Sequence, residues 1–200
     1  MAVEWNKQSR RYIRDGKAIP PASVRKMVLD TIGKAKERLA NIAGQKIKGE
    51  INSPAWFVAT RSEVKNMHTA LAMLAQGGKG QMDVKAWGRT GQKIKSELEY
   101  LRGFQRSIER GELSDAQILA RAIQYADASY VTYQQGVFNL EKMSGTQYVN
   151  WILDETAESC DGCKASEGVH PVNNAPELGS NECGGKCRCS YEFAEYAEAA

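Results

Sequence analysis

Cys160-Asp-Gly-Cys163 and Cys183-Gly-Gly-Lys-Cys187-Arg-Cys189 contain all five cysteines of the 200-residue chain. A pair of thiols two residues apart, followed after one loop by a second thiol cluster, is the spacing of a tetrahedral zinc site. Asp161-Gly162 forms turns readily, so both sulfurs of the first pair can face one ion from a single tight loop. Gly184 and Gly185 open backbone conformations closed to other residues and let Cys183 and Cys187 converge in the same way. Five thiols exceed by one the four ligands of a structural zinc. Cys189 is therefore either the fourth ligand or a core residue, and spacing does not decide between it and Cys183. The pattern predicts a small zinc knuckle closing a mostly helical protein.

Other uses of the thiols fit less well. Disulfides are disfavoured by the odd cysteine count and by the segment from Met1 to Arg14, which is polar and basic without the hydrophobic run of a secretory signal. A redox Cys-x-x-Cys needs a place after a strand and at a helix start, where the thiolate is activated; nothing in the sequence sets Cys160 there. A catalytic zinc keeps an open position and favours His and carboxylate ligands, whereas this segment has only His170. The other histidine, His68, falls beside the apolar stripe of a helix, where a packed imidazole is the expectation. Glu155 and Glu158 stand near Cys160 as candidate bases, but a thiolate-saturated ion leaves no place for an activated water. No catalytic residue is assigned, and a non-enzyme is expected.

The chain is long enough for one ordinary domain and a small appendage, and 42% hydrophobic residues supply a core. No apolar run approaches membrane-spanning length, so no membrane partner is expected and the thiols are read as cytoplasmic and reduced. Residues 1–50 hold twelve Lys and Arg against five Asp and Glu, a local charge of about +7 hidden within +3 overall. In this basic start, Arg10, Arg11 and Arg14 are candidates for contact with phosphates or with an acidic partner surface. Lys164, Lys186 and Arg188 place further positive charge beside the thiols.

Upstream of the cysteines, punctuation and period outline four helices. Pro20-Pro21 opens the first, with Val24, Val28, Ile32, Ala35, Leu39 and Ile42 as its stripe to about Gly44. Ser53-Pro54 caps the second, with Trp56, Val64, Met67, Leu71 and Leu74 facing inward before Gly77-Gly78. Asp83 caps the third, in which Trp87, Ile94, Leu98, Leu101 and Ile108 are expected on the buried side. Ser114-Asp-Ala-Gln117 is a capping box opening the fourth, which runs to about Leu140. After Ser144-Gly145 the period changes: Tyr148 to Leu153 reads as a strand, Gly168 to Gly179 as loop, and Ser190 to Phe193 as a second strand closing a hairpin. The expected organisation is mainly α: a basic arm over residues 1–22, a helical bundle-like domain over 23–143, a zinc-knuckle β-hairpin subdomain over 144–193, and an acidic flexible tail over 194–200.

The succession Trp151, Asp154, Cys160-x-x-Cys163, Gly168, Pro176, Gly179, Cys183-x3-Cys187-Arg-Cys189-Ser-Tyr resembles the carboxyl-terminal domain of Mu F-like minor head proteins, the head morphogenesis proteins of tailed phages. Upstream landmarks are similar in order and spacing: Val64-Lys-Asn-Met-His68, Trp87-Gly-Arg-Thr-Gly91, Tyr100-Leu-Arg-Gly-Phe104, Gly111-Glu-Leu-Ser114 and Arg121 to Ala126. The resemblance spans roughly residues 55–193 and is most specific at the cysteines. It implies a virion component that acts with the portal and capsid proteins in head assembly or in DNA packaging and ejection, with self-association and contact with packaged DNA among its expected interactions. Family members often carry His-Pro-x-Cys-x-Cys in the second cluster; Cys183 stands roughly where that histidine would, which favours it as a ligand. The short basic start departs from the larger amino-terminal regions of many relatives. The alternative reading is a zinc-containing nucleic-acid-binding protein.

Overall fold

Burial in this computed structural model, which describes residues 3–194, is concentrated on one stripe of each of four long helices. These are α1 (Pro21–Ile47), α2 (Ser53–Ala75), α3 (Val84–Glu109) and α4 (Asp115–Met143). Val24, Val28, Ile32, Ala35 and Leu39 face inward from α1 as their three-to-four-residue spacing requires. In α2, Trp56, Val64, Met67 and Leu71 are all buried. The capping box of α4 is complete, with Ser114 and Gln117 satisfying each other's backbone donors. α4 packs on α1 and α2, while α3 leans chiefly on α2 and touches α4 more sparsely. An aromatic column joins the three helices α2, α3 and α4: Trp56 meets Phe104 edge-on at 5.2 Å, and Phe104 stacks on Tyr125 at 6.2 Å.

Two boundary details depart from the sequence reading. The cap of α2 is Asn52, whose side chain accepts from the N–H of Ala55, one residue before the expected Ser53. The buried face of α3 agrees with the expected one at Leu101, with Leu98 and Ile108 packed against the core, and departs from it at Trp87. Ala86, Thr90, Glu97, Leu101 and Phe104 are inside, and Trp87 is 39% exposed. The polar members of that face are satisfied locally, Thr90 by the carbonyl of Ala86 and Glu97 by Lys93 at 3.1 Å, which is how a polar residue can occupy an interior position.

The basic amino-terminal arm begins as a folded element. β1 (Glu4–Asn6), β2 (Arg11–Arg14) and β3 (Lys17–Ala18) form an antiparallel sheet in that order. Asp15 and Gly16 make the β2–β3 turn with φ of 53° and 75°, the pair of positive values that a two-residue hairpin needs. Trp5 and Tyr12 pack edge-on at 4.9 Å over Val24 and Leu140. The Tyr12 hydroxyl donates to the carbonyl of Ala75 at the end of α2. Gly77 has no freedom to change here, because a Cβ on it would fall 2.2 Å from the backbone nitrogen of Trp5.

Beyond α4 the chain forms a second antiparallel sheet of β4 (Tyr148–Ile152), β5 (Gly168–Pro171) and β6 (Ser190–Ala194), in the order β5-β4-β6. The expected hairpin is thus a three-stranded sheet, and Gly168–Pro171, read as loop, is its third strand. It is short and ends in proline, and its pairing of His170 with Val149 is a tertiary event that local pattern does not carry. Val149 and Trp151 alternate inward from the central strand toward Val131 of α4. Residues 195–200, most of the expected acidic tail, lie outside the described residues.

Candidate metal centre

The five cysteines come together from three places. Cys160 is the N-cap of a one-turn helix, α5 (Asp161–Ala165), which carries Cys163 on its inner side. Cys183 and Cys187 bracket a 3-10 turn over Gly184–Lys186, and Cys189 immediately precedes β6. This placement corrects one argument from sequence: Cys160 does follow a strand and does open a helix.

The sulfurs form two overlapping trios, Cys160/Cys163/Cys183 and Cys163/Cys187/Cys189, with all sulfurs of a trio within 4.8 Å of one another. Cys163 Sγ lies 3.5 Å from Cys183 Sγ and 3.9 Å from Cys187 Sγ. Thiolates around one tetrahedral ion with bonds of about 2.3 Å stand roughly 3.8 Å apart, whereas a disulfide would bring them to about 2.05 Å. All five are free thiols. The cluster can hold a metal ion.

Burial is graded across the cluster. Cys163, Cys187 and Cys189 are inside, in a core shared with Trp151, Leu178 and Tyr191, while Cys160 and Cys183 are half-buried at a surface depression lined also by Glu158, Asp161, Lys164 and Glu182. Desolvation by burial pushes the Cys163, Cys183, Cys187 and Cys189 thiols above their ordinary value. Cys160 goes the other way: its burial raises it, but hydrogen bonds from the backbone of Cys163, from the Cys163 side chain and from the backbone of Cys183 outweigh that. Without a cation the inner thiols are protonated neutral groups; a bound dication deprotonates them, so binding releases protons.

Neighbouring residues orient the ligating loops. Asp154 accepts from both the N–H and the hydroxyl of Thr156, turning the chain between β4 and Cys160, and its carboxylate pairs with Arg188 at 3.0 Å. Those hydrogen bonds from Thr156, ahead of the Arg188 charge, hold Asp154 below its usual value. Glu182 accepts from the N–H of Gly162, and Asn181 directs its amide toward Cys163 Sγ at 3.7 Å. The Tyr191 hydroxyl accepts from Leu178 N–H at 2.9 Å and donates to the carbonyl of Pro176, tying the long loop down ahead of the second thiol cluster. The indole N–H of Trp151 is buried without a partner in full hydrogen-bond geometry, yet it is a neighbour that favours the Cys189 thiolate. Supporting shells of this kind fix the orientation of ligands. Asn181 and Glu182 carry no signal in the sequence that would have singled them out.

The cysteine-bearing segment docks on the helices through glycine. A Cβ on Gly185 would lie 3.2 Å from Cβ of Ala128 on α4 and 3.4 Å from Oε1 of Glu97 on α3, so only a bare backbone sits comfortably between them.

The candidate cationic contacts separate into different environments. Arg10 is turned inward, bonded to Glu141 at 2.6 Å and to the hydroxyl of Thr146, so its guanidinium is engaged within the fold. Arg11 and Arg14 are exposed on β2, with Arg14 reaching the sulfur of Met27. Lys186 is exposed on the knuckle; Arg188 is exposed but engaged by Asp154. His170 donates from Nε2 to the backbone carbonyl of Ser166 at 2.8 Å and belongs to neither sulfur trio. No helix among the described residues is long and apolar enough to cross a membrane. No family model matches the chain, and neither a curated protein nor a solved structure matches it.

Proposed function

We propose that this chain is a Mu F-like minor head protein of a tailed bacteriophage, with a structural zinc ion in the cysteine cluster. The observation that carries the zinc half is the meeting of five free thiols in two overlapping trios, with Cys163 Sγ at near-tetrahedral spacing from Cys183 and Cys187, in a site whose donors are all sulfur, the softness that suits zinc. The absence of imidazole or carboxylate from both trios supports a closed structural site over an open catalytic one. The head-protein half draws on the order of Trp151, Asp154, the two cysteine clusters and Tyr191. Trp151 and Tyr191 pack in one core with the cysteines, and Asp154 pairs with Arg188 between two of them.

In this reading the zinc clips the loops around β4 onto α4, and the helical domain presents the surface that meets portal or capsid proteins in the virion head. Immunodetection of the chain in purified heads of the phage that encodes it tests this. Its presence at low copy is expected; a chain that stays in the lysate while complete heads form would reject the proposal.

The second reading, a zinc-containing nucleic-acid-binding protein, draws on the exposed cations Arg11, Arg14 and Lys186. It predicts DNA affinity that falls steeply with salt and is weakened by replacing those three residues; affinity untouched by the substitutions would discard it.

A further inference from the structure

We propose, resting on the metal reading above, that the cysteine cluster also takes two soft monovalent ions of the copper(I) class, one in each sulfur trio, with the Cys163 thiolate bridging them.

Any two sulfurs of a trio lie within 4.8 Å, and Cys163 is the one member common to Cys160/Cys163/Cys183 and Cys163/Cys187/Cys189. No set of four cysteines meets the same limit. Thiolates around one tetrahedral ion stand roughly 3.8 Å apart, so a single zinc completes its shell only by drawing a sulfur across from the other trio. A three-coordinate ion needs no such movement. Copper(I) is thiophilic and is satisfied by three thiolates in a plane. Two such ions that share one sulfur use five thiols in all, the number the chain carries. The shared atom stands between the two positions, with Cys163 Sγ 3.5 Å from Cys183 Sγ and 3.9 Å from Cys187 Sγ. Asn181 directs its amide nitrogen at the same sulfur from 3.7 Å, and an N–H donor of this kind stabilises the negative charge of a bridging thiolate.

The two positions differ in their surroundings. Cys163, Cys187 and Cys189 enclose the inner one in a core shared with Trp151, Leu178 and Tyr191, and neither a carboxylate nor an imidazole among the described residues joins that trio. An ion there has three sulfurs and no water. The outer position, at Cys160 and Cys183, opens onto the surface depression lined by Glu158, Asp161, Lys164 and Glu182. Ions arriving from solvent meet the outer trio first and pass inward through Cys163, which belongs to both. Each thiol that binds gives its proton to water, and no electron is transferred.

The test titrates the full chain as purified, without oxygen, with copper(I) supplied as its acetonitrile complex against the competing chelator bathocuproine disulfonate. Native mass spectrometry counts copper and zinc on each chain, and the luminescence of copper(I) thiolates shielded from water reports the inner position. The wild type should release its zinc and take two copper ions. Cys160→Ser should take one and keep most of the luminescence; Cys189→Ala should take one and lose most of it. Cys163→Ser, which removes a sulfur from both trios, should hold neither ion at a chelator concentration that the wild type withstands. A wild type that takes a single copper ion, or a Cys163→Ser chain that still takes two, overturns the bridged pair and leaves the zinc reading standing. A wild type that is isolated without zinc and takes no copper overturns the metal reading itself.

Discussion

Nδ1 of His68 and Oγ1 of Thr132 lie 2.7 Å apart in the interior, joining α2 to α4 by a hydrogen bond fully removed from water. The other ring nitrogen, Nε2, has no partner among the described residues. Burial, reinforced by the charge of Lys93, lowers the imidazole to about 3, so it is neutral in the folded protein at ordinary pH.

The sign of its effect on stability follows. Below about 6.5 the unfolded chain takes up a proton at His68 that the folded chain refuses until about 3. Stability is therefore lost as pH falls through that window, by up to about 1.4 kcal/mol per pH unit from this group, and the group adds no pH dependence above it. Denaturant unfolding between pH 7 and 4 should show a shallower slope in His68→Gln than in the wild type; parallel slopes would mean the imidazole already charges when folded. Thr132→Val should cost about 1–3 kcal/mol by leaving Nδ1 unpaired.

Arg10 and Glu141 fasten the amino-terminal sheet to the end of α4. Arg10→Ala leaves the buried Glu141 carboxylate without its ion-pair partner, though still bonded to the Thr146 hydroxyl, and should lower stability by about 2–3 kcal/mol. Hydrogen exchange should speed up in residues 4–18 before it does in the helices. Deletion of residues 1–19 should likewise destabilise the fold, since it removes Trp5 and Tyr12 from a core.

Gly185→Val should loosen the knuckle from the helices. The added methyls collide with Ala128 and Glu97, and overpacking of this kind costs about 1–3 kcal/mol. Limited proteolysis should cut beyond residue 144 faster than in the wild type, with the helical fragment left intact; unchanged cleavage would show that the contact tolerates bulk.

Much of this architecture was legible because its signals are local. The stripes of α1 and α2, the Asp83 cap and the Ser114–Gln117 box all act within a few residues of themselves. The face of α3 was read correctly at Leu98, Leu101 and Ile108 and misread at Trp87, which looks more apolar than Thr90 and Glu97. The latter pair is accommodated inside by a backbone carbonyl and a lysine that sequence period does not weigh. Asp15-Gly16 was a readable hairpin signal, outweighed by the basic residues around it, and Arg10 was read as a surface cation because its partner Glu141 is 131 positions away. At the site, the cysteine spacing foretold convergence. It could not foretell the sharing of Cys163 between two trios, which arises only when α5 and the Gly184–Lys186 turn are folded against each other.

Metal removal should act on one part of the molecule. Chelation, or acid that reprotonates the buried thiols, should disorder residues from about 148 onward and leave helical circular dichroism nearly unchanged, because the four long helices have their own core.

The most direct measurement is elemental analysis of the purified full chain coupled to thiol titration before and after chelation. The account predicts about one zinc per chain, with most of the five thiols protected until the chelator removes it. A chain without metal, in which fewer than five thiols titrate even after denaturation, would contradict it.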